Sequence, residues 1–183
     1  MASTLIKGIG TLISGDINNP VLDADAIFIA DGKIKRIGKA ADLELLGAET
    51  VVDASGGTIT PGLIDSHCHV VFGDYTPRQH QIGFLESEVH GGVTTIISAG
   101  EVHLPGRPKD PAGTKALAIL AAKSFANFRP GGAKILGGSV ILEKGLTEDD
   151  FAEMAREGVK VVGEIGLGSV KFPEDAVPMV KWA

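Results

Sequence analysis

From Thr58 onward, apolar runs of strand length alternate with segments of helical period, and this alternation constrains the fold more than any other feature of the chain. Strands are expected at 58–70, 93–99, 133–142 and 159–165, and helices at about 77–90, about 113–127, 147–157 and from near Glu174. Strands that alternate with helices pair in parallel through right-handed crossovers. The helix after Leu146 carries its own signals: Thr147 as N-cap, Asp150 three residues later, apolar Phe151, Met154 and Ala155, and Gly158 at the stop. Four such βα units predict an α/β protein, the N-terminal half of a (β/α)8 TIM-type barrel, whose reactive end is built from the carboxyl ends of its strands. Residues 2–57 read differently. Short strands at Leu5 to Ile9, Thr11 to Ile13, Ala26 to Ala30, Lys33 to Ile37 and Glu49 to Asp53, with Asp31-Gly32 as a hairpin turn, predict a small antiparallel β module. The expected organisation is an incomplete, sandwich-like β module over 1–57 and four barrel units over 58–183.

At the end of the first barrel strand stands Asp65-Ser66-His67-Cys68-His69. Alternate strand residues share a face, so His67 and His69 can reach one ion while Cys68 points the other way. Neutral imidazoles suit zinc, iron or nickel. By the same parity Asp65 is expected to orient a ligating imidazole from behind. The plain alternative is two satisfied polar histidines in a strand. Glu164 closes the fourth strand, Val159 to Ile165, at the same end of the barrel, where a carboxylate can complete a ligand set and bridge two cations. A solvated glutamate at a strand end is its plain alternative. Gly163, Gly166 and Gly168 do not have the spacing of a phosphate-cradling loop, and Glu164 among them would repel a phosphate.

Composition narrows the partners. A formal charge of -6 with no dense Lys/Arg run argues against nucleic acid. No apolar run approaches the roughly 20 residues of a membrane helix, and Met1 to Lys7 lacks the pattern of a secretory signal. With one cysteine in the chain, Cys68, no internal disulfide forms, and a cytoplasmic protein acting on a small molecule is expected. His80 and His90 read as surface or helix-end residues, and Trp182 as an apolar residue packing its helix. His103 follows the second strand on the reactive face.

Pro61-Gly62-Leu63-Ile64-Asp65-Ser66-His67-Cys68-His69, preceded by a β module and followed by Gly91-Gly92-Val93-Thr94-Thr95, resembles the amidohydrolase superfamily of metal-dependent hydrolases. The resemblance implies a binuclear Zn2+ or Fe2+ centre in which His67 and His69 hold one metal and Glu164 bridges both, in place of the carboxylated lysine of many relatives. Lys171 is the rival bridge, set back by seven residues and a glycine-rich turn. The segments 73–79, 105–110, 140–147 and 163–168 are most similar to a member that opens a cyclic amide by metal-activated water, converting 1,4,5,6-tetrahydro-6-oxonicotinate to 2-formylglutarate and ammonia. Such a substrate is anionic, so Arg78, Arg107 or Lys109, with His103, are candidates to meet its carboxylate, and bidentate geometry favours an arginine. The same resemblance places two further histidines and the general-base aspartate beyond residue 183, so the chain alone is expected to be inactive, and a homo-oligomer is expected. The other readings are a dihydroorotase-like or hydantoinase-like enzyme, or a noncatalytic metal-binding half-barrel.

Overall fold

A computed structural model describes residues 2–70, 78–100 and 106–183, with the side chains of 78–82 left out. The chain divides into two compact units, Met1–Pro61 and Gly62–Ala183.

The first unit holds two small sheets. Strands β1 (Ser3–Lys7), β4 (Ala26–Ala30), β5 (Lys33–Gly38) and β6 (Thr50–Asp53) form one, in the order β5-β4-β1-β6. Strands β2 (Thr11–Ile13), β3 (Val21–Leu22) and β7 (Thr58–Ile59) form the other, in the order β3-β2-β7. Antiparallel pairing joins β1 to β4, β4 to β5 and β2 to β3, as expected, while β6 and β7 add one parallel partner to each sheet. Asp31 and Gly32 both have left-handed backbone, φ 54° and 70°, the geometry of a tight two-residue hairpin. Leu5, Ala26 and Leu43 of the short helix α1 (Ala40–Leu43) form one buried cluster, and Ile9, Leu12 and Ile27 another.

The expected strand 58–70 is two strands. Thr58 and Ile59 pair with Thr11 and Leu12, and only Leu63–Cys68, here β8, belongs to the second unit. Pro61 has no N–H to give a ladder, which breaks the run. The division therefore falls after Pro61 and not after Gly57.

In the second unit, β8, β9 (Val93–Ser98) and β10 (Lys134–Leu136) form a parallel sheet in the order β10-β9-β8. The crossovers contain α2 (Arg78–His90) and α3 (Pro111–Asn127). Helix α3 starts two residues before its expected position because Asp110 caps it, its carboxylate accepting from Gly113 N at 2.9 Å, with Pro111 in the first turn. The third strand stops at Leu136, six residues short of its expected end. At Gly138 (φ 84°) a Cβ would sit 2.5 Å from the carbonyl oxygen of Ala118, so the chain passes against α3 where no side chain fits. Of the expected fourth strand, one parallel bridge is formed, Val140 to Val162. Helices α4 (Glu148–Arg156) and α5 (Pro173–Trp182) complete the unit. Thr147 and Asp150 make the expected reciprocal cap of α4. One core cluster joins Leu142, Leu146, Phe151, Met154, Val170 and Met179, and a second joins Cys68, Val70, Leu85, Ile96, Phe125 and Ile135. Trp182 packs its ring on Phe151 at 5.9 Å between centroids.

Candidate metal centre

His67 lies on the last turn of pleat in β8, and His69 follows just past its end. Their rings stand edge to face, 5.4 Å between centroids. Cys68 points to the opposite side and is 4% exposed, packed in the cluster with Leu85 and Ile96. Burial, then the charges of Asp65 and Glu88, push its thiol up to about 11. The local geometry is thus two imidazoles outward and the thiol inward.

Glu164 reaches the histidines from the fourth segment of the barrel. Its backbone N–H donates to Ala99 O and that of Gly163 to Val140 O, both at 2.8 Å, which fixes the end of this segment against the second and third. A Cβ on Gly163 would lie 2.6 Å from Ala99 O, so this approach needs a glycine. Glu164 Oε1 is then 3.2 Å from His67 Nε2 and 3.7 Å from His69 Nε2. One ligand atom from each of the three residues lies within 4.8 Å of the other two. A tetrahedral ion with bonds of about 2.1 Å spaces its ligands by about 3.4 Å, between the two observed separations. Two imidazoles and one carboxylate are also a donor set for zinc or ferrous iron. The residues fit such an ion. A cavity of about 160 Å³ lined by Ser66, His67, Ser98, Ala99 and 161–164 adjoins them.

The other expected site residues fall in different places. Asp65 does not engage an imidazole: its Oδ1 accepts from the backbone N–H of His67 at 2.9 Å, so it orders the backbone of His67 instead. Arg107 does not project from an open loop. Its side chain is 6% exposed and its guanidinium donates to Glu143 Oε1, on a carboxylate with 0% exposure, so its charge is already matched inside the protein. Ser169 N donates to the other oxygen of Glu143 at 2.7 Å. Burial alone would raise Glu143, but the hydrogen bonds from Ser169 and Arg107 outweigh it and hold the carboxyl below its ordinary range. Sequence reasoning missed Glu143, whose one signal was a charge closing the apolar run Val140-Ile141-Leu142. Lys109, Lys171 and His90 are exposed. Arg78 opens α2, but its side chain, like that of His80 and all of His103, lies outside the described residues.

No protein-family model matches the chain. Its sequence is 60% identical, over all 183 residues, to enamidase from Eubacterium barkeri. The crystal structure of enamidase, described as a member of the amidohydrolase superfamily, superposes on 99% of the chain with a TM-score of 0.91 and 59% identity. By sequence and by fold, the chain resembles an amidohydrolase along its whole length. It spans about half of that relative, 47% of its length. Imidazolonepropionase of Paenarthrobacter aurescens is 37% identical over 99 residues, which are 54% of the chain and 24% of that protein. A triazine hydrolase structure covers 100% of the chain at 20% identity with a TM-score of 0.56, a likeness of fold alone.

Proposed function

We propose that this amidohydrolase-like chain carries part of the active site of an enzyme that hydrolyses the C–N bond of a cyclic amide. The observation that carries the reading is the meeting of His67, His69 and Glu164, in a chain 60% identical throughout to enamidase. These three residues would hold Zn2+ or Fe2+, as part of a proposed binuclear centre. A divalent ion there supplies a Lewis acid for the amide carbonyl and lowers the pKa of a water. The protein's own part is to present two imidazoles with one carboxylate oxygen, on a backbone held by Asp65 and by Ala99 and Val140. The cavity beside Ser98 and Ala99 is the proposed seat of the substrate ring.

The proposed substrate is 1,4,5,6-tetrahydro-6-oxonicotinate. One water adds to its ring carbonyl and the C–N bond breaks; a second water converts the released enamine to the aldehyde of 2-formylglutarate, freeing ammonia. Arg78 and His103 are the proposed partners of its carboxylate, because the charge of Arg107 is matched by Glu143. The proposal includes a homo-oligomeric, cytoplasmic enzyme; no helix among the described residues is long and apolar enough to cross a membrane. The test is hydrolysis by the metal-loaded full-length protein, read as ammonia release from this lactam and as appearance of the ring-opened carbamoyl amino acid from dihydroorotate and hydantoin, the competitors for the assignment. Preference for either competitor would replace the substrate, and metal binding with no turnover of any of the three would leave a noncatalytic metal site.

A further inference from the structure

Among the described residues, Glu143 is the one charged residue buried as a whole, backbone and side chain together, and the proposed reaction does not use it. Its carboxylate gathers three loops at the reactive end of the barrel. Arg107 comes from the loop after β9, Glu143 from the segment after β10, and Ser169 lies five residues beyond Glu164. The Ser169 loop lies directly on the backbone beside Glu143. Lys144 N donates to Ser169 Oγ at 2.7 Å, and a Cβ on Gly168 would sit 2.3 Å from Leu142 O. Gly166 N donates to Val170 O at 3.0 Å, closing a tight turn immediately after Glu164. Glu164 is therefore held upstream by backbone bonds to Ala99 and Val140, and downstream by a turn tethered to Glu143.

A buried ion pair is a poor device for stability, since apolar residues of similar volume often serve as well, but its hydrogen bonds have direction. We infer that Glu143, charge-balanced by Arg107, is a positioning residue that sets the place of Glu164 beside His67 and His69. The inference rests on the reading of Glu164 as a metal ligand. It predicts that Glu143 acts on metal affinity through Glu164 and through no other route.

Co2+ is the probe, its affinity read by chelator competition and its visible absorption in the full-length protein, with thermal unfolding followed alongside. Glu143→Gln should weaken Co2+ binding about ten- to a hundredfold and change the absorption, yet add less than about threefold in a Glu164→Gln background. Arg107→Met combined with Glu143→Leu, which removes both charges together and leaves neither unpaired, should weaken binding to the same degree. Unchanged affinity in either Glu143 variant, or a loss that multiplies in full with that of Glu164→Gln, overturns the inference while the metal centre stands. If Glu164→Gln by itself binds Co2+ as tightly as the unaltered protein, the metal reading falls, and this inference with it.

Discussion

His67 Nε2 lies 3.2 Å from Glu164 Oε1 although 97 residues separate them in the chain. Among the described residues, these two groups and His69 form a cluster whose ligand atoms are close enough to hold a metal ion.

On the proposed reading, removing one of the three side chains should release the ion. His67→Ala and Glu164→Ala are each expected to lower zinc affinity by more than about a hundredfold, beyond the usual effect of a residue one shell further out. Cys68→Ser should retain full metal content, because the thiol faces the core. Mass spectrometry of metal content after size exclusion decides between them, and metal loss in the cysteine variant would contradict the assigned face.

Asp65 acts on the backbone of His67. Asp65→Asn, which keeps an acceptor, should cost less than Asp65→Ala, for which about 1–3 kcal/mol of stability and roughly tenfold in metal affinity are expected. Chemical denaturation and metal titration of the pair of variants read the two quantities separately.

The fold tightens around Gly163. In Gly163→Ala the new methyl meets the backbone of Ala99 and Gly100, at 2.6 and 2.9 Å, and neither can rotate away. Glu164 should be displaced, so metal affinity is expected to fall by about tenfold or more in protein that still melts cooperatively. A variant that binds zinc normally would show that the close approach at Gly163 does not place Glu164.

Cys68 carries a pH signature. Its pKa is about 11 in the fold against an ordinary 9.0, so the folded state favours the neutral thiol. The stabilisation is present below pH 9 and declines as pH rises from there through about 11, where the unfolded chain ionises first. Thiol alkylation of native protein at pH 8 should be much slower than of denatured protein, and Cys68→Ala should flatten the alkaline fall in unfolding midpoint.

Helix α4 offers a test away from the site. Thr147→Ala removes the hydroxyl that accepts from Asp150 N and should cost about 1 kcal/mol, read as a lower unfolding midpoint. Lys115 first, and then the Thr147 N–H, hold the Asp150 carboxyl below its ordinary 3.8. That contribution is present above about pH 4 and is lost as pH falls through the lower folded value.

Much of this was legible in the chain. The alternation after Thr58 specifies parallel βα units because apolar period and turn residues act locally, and the cap at Thr147 and the turn at Asp31-Gly32 depend on only a few neighbouring residues. The His-x-His pair was legible for the same reason, since strand parity needs no distant partner. Strand ends were not. The stop at Leu136 and the single bridge at Val162 follow from how closely Gly138 and Gly163 approach Ala118 and Ala99, contacts that no local pattern encodes.

The sequence by itself determined the class of fold and the ligand candidates His67, His69 and Glu164, because residue chemistry and periodicity are properties of short segments. Tertiary structure alone decided which charges face one another: Arg107 turned inward to Glu143, Asp65 turned to a backbone amide, and Glu164 brought to two imidazoles from across the unit. Electrostatic pairing depends on distance in space, and distance in space is set only when the whole chain has packed.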